Sequence, residues 1–270
     1  MFKVERYVSA NRELEKWVKF IWHFEGDNVE VHHKLLPMDS IDIIINLGED
    51  MVYETTTKRI TAPELHVNGL RDRHSFMHQK GKIDVWGISF YSYGLYPFIN
   101  QSLRRIKNEI IDLNCLSLSL ADKLKIAVAH EAAPCNVKGI MESLESELKV
   151  SDRCLNRAEM IVDFMKNDES PISVFCSDNK ISQKTFERFV NDMTGFSPVT
   201  LRRLKRYINA SNQLLFSKAT EISEIVYDYN YTDQAYFTKE CKRFSGVPPR
   251  RLRKEKNTVK ENTIYNETVD

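Results

Sequence analysis

Glycine is sparse in this sequence, 9 residues in 270. Neither a G-x-x-x-x-G-K-[ST] loop nor a G-x-G-x-x-G turn is present, so nucleotide binding through those phosphate cradles is excluded. The five cysteines, Cys115, Cys135, Cys154, Cys176 and Cys241, form an odd, scattered set with no C-x-x-C pair. They supply neither a disulfide framework nor a structural zinc site and are expected to be reduced thiols. Long hydrophobic runs are missing: the longest lie around Ile43–Ile45, far short of the roughly 20 residues that cross a bilayer. The opening stretch MFKVERYVSANRELEKW lacks the apolar core of a signal peptide, and a soluble, cytoplasmic protein is expected. An excess of charge is missing too. Lys and Arg number 39 against 38 Asp and Glu, a balance that on average favours neither nucleic acid nor an anionic membrane as partner.

What is present divides the chain. Hydrophobic residues make up 42% and charged residues 29%, within the globular range. Residues 1–112 carry short β-branched and aromatic runs, "FIWHF" (Phe20–Phe24), "IDIIINL" (Ile41–Leu47) and "DVWGISFYSY" (Asp84–Tyr93). Turn signals stand between them at Gly26-Asp27, Gly48, Asn68-Gly69 and Lys80-Gly81. A β-rich barrel or sandwich is predicted, with one early helix over Ser9–Lys19 capped by Asn11. From about Leu116 the period becomes helical. In residues 113–151, a linker, Val137, Ile140, Met141, Leu144 and Leu148 recur at three- and four-residue steps. That stripe either packs between domains or pairs two chains in a homodimer. Residues 152–254 continue as helices, and residues 255–270 have no apolar period and are expected to be disordered.

Within the helical part the chain repeats itself. "NKISQKTFERFVNDMTGFSP" (Asn179–Pro198) and "YNYTDQAYFTKECKRFSGVPP" (Tyr229–Pro249) superpose at an offset of 51. Ser182 falls on Asp233, Gln183 on Gln234, Phe186 on Phe237, Arg188 on Lys239, Gly195 on Gly246 and Pro198 on Pro249. Each copy opens on a helix-capping side chain and closes on a glycine suited to the left-handed position after a helix. Each is preceded by a short helix, Ile172, Phe175 and Cys176 behind Pro171 in one case and Ile222, Ile225 and Val226 in the other. Helix, tight turn and helix therefore occur twice, the arrangement that places a second helix in a major groove. Charge follows the repeat. Lys180–Ala210 holds seven cations against two acids, net +5, and Lys239–Lys254 seven against one, net +6, while the stretch between them is acidic. A surface that neutralises phosphates requires such clustering. A helix from Pro198 to about Phe216 separates the units. At about 1.5 Å per residue it spans about 28 Å, near the roughly 34 Å between successive major-groove faces.

These residues resemble the DNA-binding domain of the AraC/XylS family of bacterial transcription regulators over about Cys154–Lys254. "ISEIVYDYNYTDQAYFTKECKRFSGVPPRRLR" is similar to that family's signature, with Asp233, Gln234, Phe237, Lys242, Phe244, Gly246 and Pro249 at signature positions. Val226 and Cys176 stand at alanine positions, and Asn230 and Lys180 at turn glycines. The resemblance implies an α+β chain: a β-rich, cupin-like sensor domain, then an all-α domain with two helix-turn-helix units joined by a long helix. It implies base contacts from Gln183, Lys184, Glu187 and Arg188 in the first unit and Thr232, Gln234, Ala235, Thr238 and Lys239 in the second. Arg188 and Lys184 suit guanine, Gln183 and Gln234 adenine; Glu187 either accepts from cytosine or orients Arg188 or Lys184. Phosphate contacts are expected from Arg202, Arg203, Lys205, Arg206, Lys242, Arg243, Arg250 and Arg251. Phe186, Phe189, Phe237 and Phe244 are expected in the core. Partners would be double-stranded DNA in two consecutive major grooves, RNA polymerase and a small-molecule effector.

The first half is similar to the family's sensor domains through Trp22, Leu36-Pro37, Asn68-Gly69 and Gly87–Phe90. Trp22, Phe24, Trp86 and Phe90 are the aromatic candidates for an effector pocket, or else core. Six of seven histidines (His23, His32, His33, His66, His74, His78) precede residue 80, inviting comparison with a metal-dependent cupin enzyme acting through His32 or His33. Strand alternation sends those two to opposite faces, and His74 pairs with His78 only on a helix. No metal, no cofactor and no catalytic residue is expected. A ligand-independent regulator is the other alternative.

Overall fold

The computed structural model describes residues 3–9, 11–129, 133–166, 170–217 and 220–255. Nearly all of the expected disordered tail lies outside them. The amino-terminal part is an antiparallel sheet of β1 (Lys3–Tyr7), β2 (Val18–Leu35), β3 (Ser40–Asn46), β4 (Val52–Glu54), β5 (Arg59–Thr61), β6 (Leu65–Asn68), β7 (Ser75–Tyr91) and β8 (Ile110–Asp112). The order is β1-β2-β7-β3-β6-β8, with β4 on β7 and β5 on β4. The ends are not joined, so the sheet is open and not a closed barrel.

Two of the expected turns do not end strands. Gly26-Asp27 and Lys80-Gly81 face each other across β2 and β7, where the register steps from Gly26↔Ile83 to Val29↔Gly81. Asn28 (φ 52°) and Gly81 (φ 108°) take the left-handed conformations that this bulge requires. Both strands bend there and run on, to 18 and 17 residues. The expected helix over Ser9–Lys19 shrinks to a single 3₁₀ turn, Leu14–Lys16. Asn11 is not its cap: the N-cap is Glu13, with no side-chain cap bond, and the Asn11 side chain accepts from the Glu13 amide at 2.8 Å just ahead of the turn. From Val18 onward the backbone pairs with β7 instead, burying Trp17, Val18, Phe20 and Ile21.

Alternation sorts the sheet's side chains. Ile21, Ile41, Ile43, Ile45, Trp86, Ile88 and Phe90 face a main core continuous with the helical part; Val31, Ile44, Met51, Tyr53, Ile83 and Val85 face a second, smaller cluster. After α1 (Tyr96–Ile99) and a 3₁₀ turn at Leu103–Arg105 come α2 (Leu118–Ala127) and α3 (Ala133–Glu147). Val137, Ile140 and Leu144 of the linker stripe are buried in the main core, with Met141 and Leu148 packed against it. Gly139 brings α3 close to α2, since a Cβ there would lie 3.1 Å from Ala127. The stripe is thus covered within one chain. Seven further helices follow among the described residues: α4 (Asp152–Lys166), α5 (Ile172–Asp178), α6 (Gln183–Thr194), α7 (Pro198–Phe216), α8 (Ile222–Asp228), α9 (Gln234–Ser245) and α10 (Pro249–Leu252). Among the described residues no helix is long and apolar enough to cross a membrane.

Candidate nucleic-acid interface

The two units are built alike from their ends inward. The Ser182 side chain accepts from the Thr185 amide, and the Asp233 side chain from the Tyr236 amide, each satisfying an orphan donor of a 12-residue helix. Gly195 (φ 80°) and Gly246 (φ 79°) close α6 and α9 in the left-handed conformation. Bracing helices α5 and α8 have seven residues each. Lys180 (φ 52°) and Asn230 (φ 50°) adopt the positive φ of a turn glycine, so the turn survives both substitutions. The copies differ by one residue: 179–182 join α5 to α6, whereas 229–233 join α8 to α9. The offset is 50 for the bracing helices and 51 for the helices they support.

Core aromatics fix each second helix. Phe186 packs among Phe164, Phe175 and Phe189 with centroids 4.9–5.3 Å apart. In the other copy Phe237 meets Tyr231 at 4.8 Å, and Phe244 stacks on Tyr207 at 4.6 Å. All four phenylalanines expected in the core are buried. On the opposite faces Gln183, Lys184 and Arg188 are exposed, as are Thr232, Gln234, Ala235 and Lys239; Glu187 and Thr238 are half-buried. Glu187 accepts from Gln183 Nε2 at 2.8 Å, so in the free protein it orients Gln183 rather than Arg188 or Lys184.

The expected phosphate contacts divide. Arg202 donates to the Phe164 carbonyl at 3.3 Å and to that of Ser170 at 2.5 Å, and lies 3.6 Å over the Phe164 ring. Lys205 donates to the Met165 carbonyl, and Arg206 to the Asn230 carbonyl at 3.3 Å while covering Tyr231. Arg203 makes a two-pronged ion pair with Glu240, one contact at 3.3 Å, and Glu240 is only 2% exposed. Arg243 reaches Asp72 of the sheet domain at 3.5 Å. These five cations brace the fold: each lies near backbone carbonyls or acids that α7 and α9 bring within reach. Lys242, Arg250 and Arg251 remain exposed, the last 3.7 Å from Glu255, and Arg243 is exposed too despite its contact with Asp72.

Both units touch the sheet domain at the same point of the repeat. Near Gly195, a Cβ would meet the Leu103 carbonyl at 2.9 Å, and Asp192 binds Ser102 (3.0 Å) and Arg104 (3.2 Å). At Gly246 a Cβ would meet the His74 ring at 2.4 Å. Lys34 of β2, nearly buried, pairs with Glu255 at 2.8 Å. Asp72 and Asn108 exchange two hydrogen bonds at 2.9 Å, tying the two gripping loops together. The carboxy-terminal ends of α6 and α9 are therefore held and their amino-terminal ends displayed. Nothing in the sequence marks these latches between the sheet domain and the helices, whose partners lie 88 to 221 positions apart. Glu240, the one acid among seven cations, was the available signal for the Arg203 pair.

The four effector-pocket aromatics do not converge. Trp86 and Phe90 belong to the main core, whereas Trp22 and Phe24 border the second cluster. Trp22 opposes Gly87 and Phe24 opposes Val85 across the ladder, which sets them on the other face from Trp86. Gly87 is required there, because a Cβ would fall 1.9 Å from the Trp22 ring. Among the histidines, His23 stacks on Trp86 at 4.1 Å and bonds Asp84, and His32 lies 4.0 Å from His78 across strands. His74 sits in the turn before β7, not on a helix.

The chain is thus an amino-terminal antiparallel sheet followed by a helical domain with two capped helix-turn-helix units. Residues 175–255 match a helix-turn-helix domain family, and residues 6–112 match a domain of unknown function (DUF6597). Residues 175–255 are thus a helix-turn-helix domain of AraC type. Among solved structures it is similar to ToxT from Vibrio cholerae, at 12% identity over 93% of this chain and 97% of that one, TM-score 0.44. ToxT bound to (E)-4-(8-methylnaphthalen-1-yl)but-3-enoic acid matches at 12% identity over 93% and 98%, TM-score 0.45. The AraC-like transcriptional activator CuxR matches at 11% over 78% and 87%, TM-score 0.30. The comparison with curated proteins found no match.

Proposed function

We propose that this protein is a transcription regulator that reads a specific double-stranded DNA sequence by laying the tips of α6 and α9 in two consecutive major grooves, under the control of a small molecule held by the sheet domain. Base contacts come from Gln183, Lys184, Glu187 and Arg188 in one groove and from Thr232, Gln234, Ala235, Thr238 and Lys239 in the next; Lys242, Arg250 and Arg251 meet phosphates. The observation that carries this reading is the pairing of two equally long, capped helices whose amino-terminal faces stay exposed while their other ends are buried. The 19-residue α7 spans about 28 Å between them. Control by an effector is supported by the grip on Gly195 and Gly246 from one pair of linked loops, since any change in those loops bears on both reading helices at once.

Selection of binding sites from random duplexes with the full chain, followed by hydroxyl-radical footprinting, tests the proposal. Two protected segments about 10–10.5 base pairs apart on one duplex face are expected. A single short protected segment, or equal affinity for selected and random DNA, would refute it.

A further inference from the structure

The face of the sheet opposite the main core carries a directed chain of hydrogen bonds. His66 Nδ1 donates to the Pro63 carbonyl at 2.7 Å, leaving Nε2 to accept from the Tyr53 hydroxyl at 3.1 Å. Asn68 Nδ2 donates to that hydroxyl at 2.9 Å, and Asn68 Oδ1 accepts from Arg71 at 2.9 Å. Arg71 also donates to Ser75. The direction follows because a carbonyl only accepts and a guanidinium only donates. Burial holds the imidazole down to about 4, in keeping with a neutral ring.

The chain ends on an anomaly. Arg71 is 9% exposed, yet among the described residues no carboxylate lies within ion-pair distance of its guanidinium. Buried charges are ordinarily paired. Asp42, which faces Asn68 across the β3–β6 ladder, forms no ion pair among the described residues either: the hydroxyls of Ser89 and Ser40 hold its carboxylate, while Lys19 and Arg71 act on it only from a distance. Arg71, Asp42, Ser40 and Asn68, with Leu36 and Met38, line one cavity of about 60 Å³. One ordered water needs only about 10–15 Å³, so there is room for a molecule of a few non-hydrogen atoms.

We infer that this cavity binds a small carboxylate bearing a hydroxyl or amino group on its α-carbon, with the carboxylate on Arg71 and the α-substituent on Asp42. A guanidinium fork matches a carboxylate in two parallel bonds, and Asp42 offers an acceptor to the donor on the next carbon. The inference deepens the effector reading above and rests on it for its regulatory meaning. Arg71 immediately precedes Asp72, which holds both Arg243 of α9 and Asn108 of the other gripping loop, so a ligand that re-aims Arg71 pulls directly on the latch.

Isothermal titration of the full chain without DNA tests it, using glycolate, lactate, glycine and alanine as probes, acetate as the carboxylate without an α-donor, and glycolamide as the uncharged analogue. At least one of the four should bind saturably and at least tenfold more tightly than acetate, and glycolamide should not bind. Arg71→Gln should abolish binding, and Asp42→Asn should reduce the best probe to the level of acetate. Should Arg71→Gln fail to fold, Met38→Trp, at the half-buried rim, decides in its place by filling the cavity. Binding by none of the four, equal binding of glycolamide or acetate, or unchanged binding by folded Arg71→Gln or Met38→Trp would overturn the assignment. Site selection on DNA is read separately, so a protein that recognises DNA but ignores these probes rejects this cavity and leaves the DNA-reading proposal standing.

Discussion

Replacing Arg203 by alanine separates a brace from a phosphate contact. Its guanidinium spans from α7, the spacer, to Glu240 on α9, and the Glu240 side chain is 2% exposed against 28% for Arg203. Removing the arginine strands a carboxylate in the interior. An exposed pair is worth about 0–1 kcal/mol, while breaking a fully buried one costs about 3–5 kcal/mol; with one partner partly solvated, about 2–4 kcal/mol is expected. That is a large share of the roughly 5–15 kcal/mol by which a domain is stable. The assay is urea denaturation of the full chain in a double-mutant cycle with Glu240→Ala. The double variant should be more stable than Arg203→Ala alone, because the stranded charge is gone. At a temperature where Arg203→Ala is folded, its DNA affinity should show an unchanged salt slope, whereas a lost phosphate contact lowers the slope by about 0.9. A coupling below about 0.5 kcal/mol together with a shallower slope would refute the brace and restore Arg203 to the DNA surface.

Arg188→Ala should relax preference at one base pair and cost about 1–3 kcal/mol on the selected site alone, while Arg250→Ala should weaken selected and random duplexes equally and lower the salt slope by about one; fluorescence anisotropy across salt concentrations distinguishes them. Lys180→Gly should stabilise the first unit by up to about 1 kcal/mol, since a non-glycine residue costs roughly 1–2 kcal/mol in the left-handed region and glycine returns part of that gain as unfolded-state entropy; a fall in the denaturation midpoint would count against the turn geometry. Stability against pH probes the buried polar chain. Burial pushes Asp42 up to about 6, above its unfolded value near 3.9, so the folded state holds the extra proton in between and stability falls as pH rises through that window. His66, held down to about 4 against about 6.5 unfolded, works oppositely, and stability rises with pH over nearly the same window. Asp42→Asn removes the falling limb, and its stability should climb between pH 4 and 6.5 more steeply than that of the wild type, by up to about 1.4 kcal/mol per unit. Parallel curves would show that Asp42 is not buried as described.

Local chemistry was legible wherever one residue type serves one backbone need. The Ser182 and Asp233 caps, the Gly195 and Gly246 stops, and the Pro198–Phe216 spacer stand where the sequence pattern predicts them, because caps, stops and apolar period act within a few residues. Charge was legible as a count and misleading as a map. Seven cations in a run say nothing of which will meet a carbonyl or an acid from another helix, and Arg202, Arg203 and Lys205 turn inward on that account. The aromatic runs of the first half promised strands, but which face each ring takes depends on register with a partner strand, and register divided Trp22 and Phe24 from Trp86 and Phe90.

By itself, then, the amino-acid order determined a β-rich half, a twice-written helix-turn-helix and the basic residues that follow it, since these rest on periodicity and on interactions between near neighbours. Only the tertiary structure decided which cations stay exposed, that the sheet is open, that Arg71 and Asp42 share one small cavity, and that linked loops of the sheet domain hold α6 and α9 by their glycine ends. Those outcomes depend on groups brought together from distant positions, where burial sets the worth of a charge and no local pattern records its partner.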